Sequence, residues 1–171
     1  LQTFSKPFSP GLKTGYGLLP RDLVEPVVLQ KGNHDFGSAN FCQHLLLSAM
    51  KSGLYGKHVA RLRKRYAQKR DMMLRALERR FSGPEFTQVN WTHPTGGLYV
   101  YLTLPEGVDT GRNGPLFGRA LEEGVLYVPG ECCYPPDPTR RIPRNALRLS
   151  FGVANEEQIA EGVARLARAV R

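Results

Sequence analysis

Apolar residues recur at two different periods along the chain, and the change of period divides it. From Val59, the positions Leu62, Tyr66, Met73 and Leu77 follow at spacings of three, four and seven, which lays one stripe along a long amphipathic helix. Beyond Gly83 and Pro84 the period becomes two. Leu98, Val100, Leu102 and Leu104 alternate with Tyr99, Tyr101 and Thr103, the pattern of a half-buried strand. Helical spacing returns in Ile159, Val163, Leu166 and Val170. Asn155 stands before that stripe as an N-cap with Gln158 three residues on, the pair that closes a capping box.

The remaining elements follow from turn residues. Residues 1 to 20 read as a short strand, a loop through Ser9, Pro10 and Gly11, and a second strand from Gly15 to Leu19. Asp22 is expected to cap a short helix running to about Gln30, with a loop from Lys31 to Ser38 and a helix from Ala39 to Met50 that Ser52 and Gly53 end. Residues 114 to 123 predict a helix, Val125 to Val128 a strand, Pro135 to Pro143 an exposed proline-rich loop, and Ala146 to Phe151 a last strand. Alternating helices and strands predict an α/β or α+β architecture. The boundary falls near Ser52 to Gly56, which separates residues 1 to 52 from a part comprising 53 to 171.

Charge changes the picture little. The net charge is +9, and between Lys57 and Arg80 ten Lys or Arg face only Asp71 and Glu78, so most of the excess lies on the long helix. A solvated helix face accounts for it, because base-stacking aromatics are not interleaved there; nucleic-acid binding stays a distant alternative. No apolar run approaches the roughly 20 residues that span a bilayer. The three cysteines, Cys42, Cys132 and Cys133, form no disulfide framework and no metal-ligand pattern with the histidines, which fits a reducing, cytoplasmic setting and no metal. The opening LQTFSKPFSP lacks both a starting Met and an export signal, so sequence upstream is expected.

Candidate chemistry concentrates in TFSKPFSPGLKTGY at residues 3 to 16. By spacing alone Lys6 reads as a surface lysine. Yet Thr3, Ser5 and Lys13 could converge on one phosphate while Lys6 supplies an amine, the arrangement of an imine-forming cofactor site. Arg148 stands out separately: Leu147, Leu149 and Phe151 share one strand face and leave Arg148 on the other. It is either exposed, held in a structural salt bridge, or paired with a substrate carboxylate.

The segment is similar to the S-x-S-K-x-x-x-P-G-x-R-x-G-Y signature of class I aminotransferases of fold type I, nearest the α-aminoadipate and kynurenine aminotransferases and the MocR-like regulators. HPTGGLYVYLTLP at 93 to 105, GVLYVPGECCY at 124 to 134 and NALRLSFGVANEEQIAEGVARL at 145 to 166 resemble further family segments in the right order, so the resemblance covers the whole chain. It implies an α/β fold in which residues 1 to 52 end a large mixed-sheet domain and 53 to 171 form the linking helix and a small α+β domain. It also implies pyridoxal 5′-phosphate as cofactor. Lys6 would be the Schiff-base lysine, enclosed beside cations, that then moves a proton between substrate Cα and cofactor C4′. Thr3, Ser5 and Lys13 would bind the phosphate, Lys13 standing where the family usually has Arg, so that the charge remains but the bidentate fork is lost. Arg148 would hold the α-carboxylate of an amino acid or 2-oxo acid. The double glycine Gly96 and Gly97 is expected to be structural, and His93, Tyr99 and Cys132 receive no chemical role.

In the family the glycine-rich phosphate loop, the ring-stacking aromatic, the groups at O3′ and the aspartate at the ring nitrogen all precede the lysine. The chain therefore carries the second half of an active site and is expected to be inactive alone. A homodimer with active sites at the interface is implied, with loop 31 to 40 a candidate cross-subunit contact. Two classes remain open: an amino-group transferase, and a transcription regulator whose aminotransferase-like domain senses a ligand and which would meet DNA through an upstream winged helix.

Overall fold

A computed structural model describes residues 1–171. The chain divides into two units, Leu1–Lys64 and Arg65–Arg171.

The first unit begins with strand β1 (Gln2–Thr3), a turn and a 3-10 turn at Pro10–Leu12, and strand β2 (Gly15–Tyr16). The strands pair antiparallel, Gln2 with Tyr16 and Thr3 with Gly15. This ladder is shorter than the expected strand to Leu19. Glycine at 15 has a definite cause, since a Cβ there would stand 2.5 Å from the carbonyl oxygen of Gln2. Helix α1 (Arg21–Asp35) runs further than its expected end near Gln30, through part of the expected loop. Asp22 lies in its first turn and does not cap it; Pro20 holds the N-cap position. The extension is local: Lys31 pairs with Asp35 one turn on, and Phe36 closes the helix in left-handed conformation with its N–H on the Gly32 carbonyl. Helix α2 (Asn40–Lys51) follows as expected, and Leu46 and Ala49 are its buried residues.

Helix α3 (Leu54–Arg80) begins in the first unit and ends in the second. In the second unit, strands β3 (Asn90–Trp91), β4 (Tyr99–Thr103), β5 (Val128–Pro129) and β6 (Ala146–Ser150) form one antiparallel sheet in the order β3-β4-β6-β5. Of the strand expected from Val125 to Val128 only Val128 pairs, continued by Pro129, and the Val125 N–H is taken by the Ala120 carbonyl in the last turn of the preceding helix. Helices α4 (Pro115–Glu122) and α5 (Glu156–Val170) pack on each other. The core joins Met73 and Leu77 of α3 to Val100 and Leu102 of β4, Leu147 and Leu149 of β6, Leu116 of α4, and Ile159 and Leu166 of α5. Burial of these side chains is the chief stabilising term, at roughly 1.5–3 kcal/mol each. The alternation read from the sequence is what makes this possible: Val100, Leu102 and Leu104 are buried, while Tyr99 is exposed and Tyr101 and Thr103 half-buried.

Two devices fix the start of α5 and the start of β6. Asn155 caps α5 with both bonds of the box present: the Gln158 N–H donates to Asn155 Oδ1 at 2.8 Å, and the Asn155 N–H donates to Gln158 Oε1 at 2.9 Å. Thr110, fully buried, sets its hydroxyl 2.5 Å from the Ala146 carbonyl oxygen at the start of β6, and the Tyr127 hydroxyl donates to the Thr110 carbonyl at 3.0 Å.

Candidate active site

Thr3, Ser5, Lys6 and Lys13 lie on one loop in the first unit. The β1–β2 ladder closes its ends, and the Phe4 N–H donates to the Thr14 carbonyl at 2.9 Å as the next rung. Phe8 and Ser9 both donate their N–H to the Phe4 carbonyl, which folds residues 4 to 9 into a tight turn. Phe4 and Phe8 pack their rings on Tyr55 at centroid distances of 6.0 and 5.8 Å, and Phe8 also meets His58 at 5.9 Å. Lys6, midway between these inward-turned aromatics, is exposed. The enclosure expected for it is not supplied by this chain, in which Phe4 and Phe8 are half-buried and Lys6 between them is exposed.

The Ser5 N–H donates to Thr3 Oγ1 at 3.1 Å, so the two hydroxyl residues are joined by a local bond two positions apart. Lys13 adopts φ 48°, ψ 34°, a left-handed conformation that a non-glycine residue seldom holds. It ends the Pro10–Leu12 turn, and Thr14 follows with its hydroxyl on the Leu12 carbonyl at 3.1 Å. The loop so built offers two hydroxyls and the side-chain nitrogens of Lys6 and Lys13, a donor set that matches a phosphate ester bearing an aldehyde.

Arg148 belongs to the second unit and is positioned by the sheet. It pairs with Tyr101 of β4 on one side and Val128 of β5 on the other, on the face opposite the core. None of the chain's eight ion pairs involves it. Its Nε is buried without a hydrogen-bond partner, and its guanidinium carbon lies 4.2 Å from the centroid of the Tyr99 ring. Of the three roles open for Arg148 from strand pattern alone, the internal salt bridge is absent, and the side chain is half-buried rather than fully exposed. A cation stacked on an aromatic face gains about 0.5–2 kcal/mol and keeps its N–H donors for an anion.

Tyr101 packs its hydroxyl toward Gly130, where a Cβ would come within 2.6 Å of both that hydroxyl and the Ala146 carbonyl oxygen. This close approach explains the glycine of Val128-Pro129-Gly130. Burial pushes the Tyr101 hydroxyl well above the usual tyrosine range, with Tyr134 adding to the effect. Burial likewise raises Tyr127 to about 12. Beside this turn, Arg144 bridges Asp109 at 3.1 Å and Glu131 at 3.6 Å. The Gly111 amide and Arg144 hold the Asp109 carboxyl below its ordinary value.

Tyr99 is the residue that sequence reading passed over. Its signal was there, an aromatic on the polar side of an alternating strand, but its meeting with Arg148 depends on a strand register between segments some 50 residues apart.

Comparison with known proteins gives this geometry a family. Residues 1–166 match the model for aminotransferase class I and II. The chain is 35% identical to LysN, the α-aminoadipate aminotransferase of Thermus thermophilus, solved with N-(5′-phosphopyridoxyl)-L-leucine; the likeness has a TM-score of 0.82 and covers 98% of the chain and 40% of LysN. It is 34% identical to the kynurenine aminotransferase of Pyrococcus horikoshii, solved with PMP, with a TM-score of 0.85 and coverage of 98% and 39%. It is also 31% identical to the HTH-type transcriptional regulator TauR of Rhodobacter capsulatus over 99% of the chain and 33% of TauR. The chain thus spans about two fifths of the length of the aminotransferases it matches and a third of the regulator. It belongs to the class I and II aminotransferases, of fold type I, whose cofactor is pyridoxal 5′-phosphate.

Proposed function

We propose that the protein carrying this chain transfers an amino group from an L-amino acid to a 2-oxo acid, and that the chain supplies the lysine, the phosphate-side groups and the carboxylate-binding arginine. Residues 1 to 52 are read as the end of the large cofactor domain, and 53 to 171 as the linking helix and small domain. The observation that carries this is the pinned loop from Thr3 to Gly15, which gathers a lysine, two hydroxyls and a second cation within one closed turn.

Bound there, pyridoxal 5′-phosphate would supply an electron sink for the substrate Cα. The chain's own residues do the rest. Lys6 would be the residue that holds the cofactor through its side-chain nitrogen and, as the base beside the substrate, would take up and give back the proton of Cα. Thr3, Ser5 and Lys13 would hold its phosphate. Arg148 would take the α-carboxylate through parallel N–H bonds. Substrates of the 2-aminoadipate, aromatic or branched-chain type fit this reading, as do a cytoplasmic homodimer and little turnover by the 171-residue piece alone. No helix of the chain is long and apolar enough to cross a membrane.

The likeness to TauR supports a second reading, a regulator in which the same groups bind cofactor and ligand to control an attached DNA-binding domain. Assaying the natural full-length protein for amino-group transfer to 2-oxoglutarate decides between them. Turnover supports the enzyme; ligand-dependent binding to its own promoter DNA with no turnover supports the regulator.

A further inference from the structure

Tyr99 has no part in the chemistry proposed for the loop or for Arg148, yet the sheet brings it to the arginine. Tyr99 pairs with Ser150, and Arg148 pairs with Tyr101, so Tyr99 stands diagonally from Arg148 on the same face, within the reach of an aromatic ring. The 4.2 Å stack sets the guanidinium against that ring, and the enclosed Nε has no acceptor. An arginine side chain free on a strand samples many rotamers, and each must be frozen when an anion binds. Here two restraints act before binding: the ring confines the guanidinium to one plane, and burial of Nε turns the N–H edge that contains it toward protein. The terminal nitrogens are what remains for an incoming carboxylate, which they can take end-on through two parallel bonds.

We propose that Tyr99 is a positioning residue, one that preorganises Arg148 as an end-on carboxylate clamp. The inference rests on the reading of Arg148 as the residue that holds the substrate α-carboxylate. Its chemistry requires the ring face and not the hydroxyl, so phenylalanine is an adequate replacement and an aliphatic residue is not.

The test has two arms. In the full-length protein without substrate and with nitrogen-15-labelled arginine, the Arg148 Nε–H exchanges slowly with solvent in the wild type and in Tyr99→Phe, and at least about tenfold faster in Tyr99→Leu. Exchange in Tyr99→Leu as slow as in the wild type overturns the proposal. In the full-length protein loaded with cofactor, KM is compared for an L-amino acid and for the amine that lacks its carboxylate. Tyr99→Leu raises KM for the amino acid by about three- to thirtyfold, leaves kcat and the amine nearly unchanged, and adds nothing further to Arg148→Ala. If Arg148→Ala abolishes the preference for the carboxylate while Tyr99→Leu keeps it, the positioning role is wrong and the carboxylate reading stands. If Arg148→Ala keeps the full preference, both fall.

Discussion

Arg148 and Tyr99 meet across two antiparallel strands, with the guanidinium carbon 4.2 Å from the ring centroid and no carboxylate of the chain in an ion pair with the arginine. A half-buried cation held by a ring and by nothing anionic keeps N–H donors for an anion, the role proposed for Arg148. In the full-length protein, Arg148→Ala is therefore expected to lower kcat/KM for every amino acid by the equivalent of about 2–5 kcal/mol, and Arg148→Lys by less, while the visible spectrum of the bound cofactor stays unchanged. Steady-state kinetics with several amino acids, beside the absorption spectrum, check this. Unchanged kcat/KM removes Arg148 from the substrate site.

Gly15 and Gly130 are expected to resist substitution for the same reason in two places. An added methyl meets backbone carbonyl oxygen at 2.5 Å in one case and 2.6 Å in the other, and neither oxygen is the end of a flexible side chain. Gly15→Ala and Gly130→Ala should each destabilise by about 1–3 kcal/mol. Gly162→Ala, where nothing lies within 4 Å, is the control and should be neutral or slightly stabilising within α5. Denaturant melts give all three values.

Tyr127 ties alkaline stability to its buried hydroxyl. Its folded pKa is raised to about 12, above the ordinary value of 10.0, so the folded state binds the proton more tightly than the unfolded one. The associated stability is complete below about pH 10 and is lost as pH rises toward about 12. Tyr127→Phe removes that titration and should flatten the loss over this window, by on the order of 2 kcal/mol, at the cost of the bond to the Thr110 carbonyl. Urea melts at about pH 8, 10 and 11 compare the slopes. Equal slopes in the two proteins assign the alkaline loss elsewhere, with Tyr101 the next candidate.

Asn155→Ala should cost about 0.5–2 kcal/mol by opening the capping box of α5. Asn155→Asp should cost far less, since its carboxylate still accepts from the Gln158 N–H. Thermal melts of the two variants are the check.

What the sequence disclosed, and what it withheld, follows the range of the interactions. Asn155 and Gln158 were legible because both partners lie within four residues. The alternation from Leu98 to Leu104 was legible because one strand carries it. The end of α1 was misplaced because a polar run with a glycine looks like a loop, whereas Lys31 and Asp35 support each other only once the helix exists. Lys6 was expected to be enclosed, yet in this chain it is exposed between the half-buried Phe4 and Phe8. The role of Arg148 stayed open until pairing with β4 and β5 showed which groups surround it, and Tyr99 gained significance only through that non-local register.

The claim on which the rest depends is that Lys6 is the amine that joins the cofactor. Borohydride reduction of the full-length protein loaded with pyridoxal 5′-phosphate, followed by peptide mass mapping, fixes the bonded nitrogen covalently. The pyridoxyl mass is expected on the peptide containing Lys6, and Lys6→Ala should lose it together with the visible absorption of the bound cofactor. Modification of a different lysine in the wild type, with Lys6 left free, would contradict it.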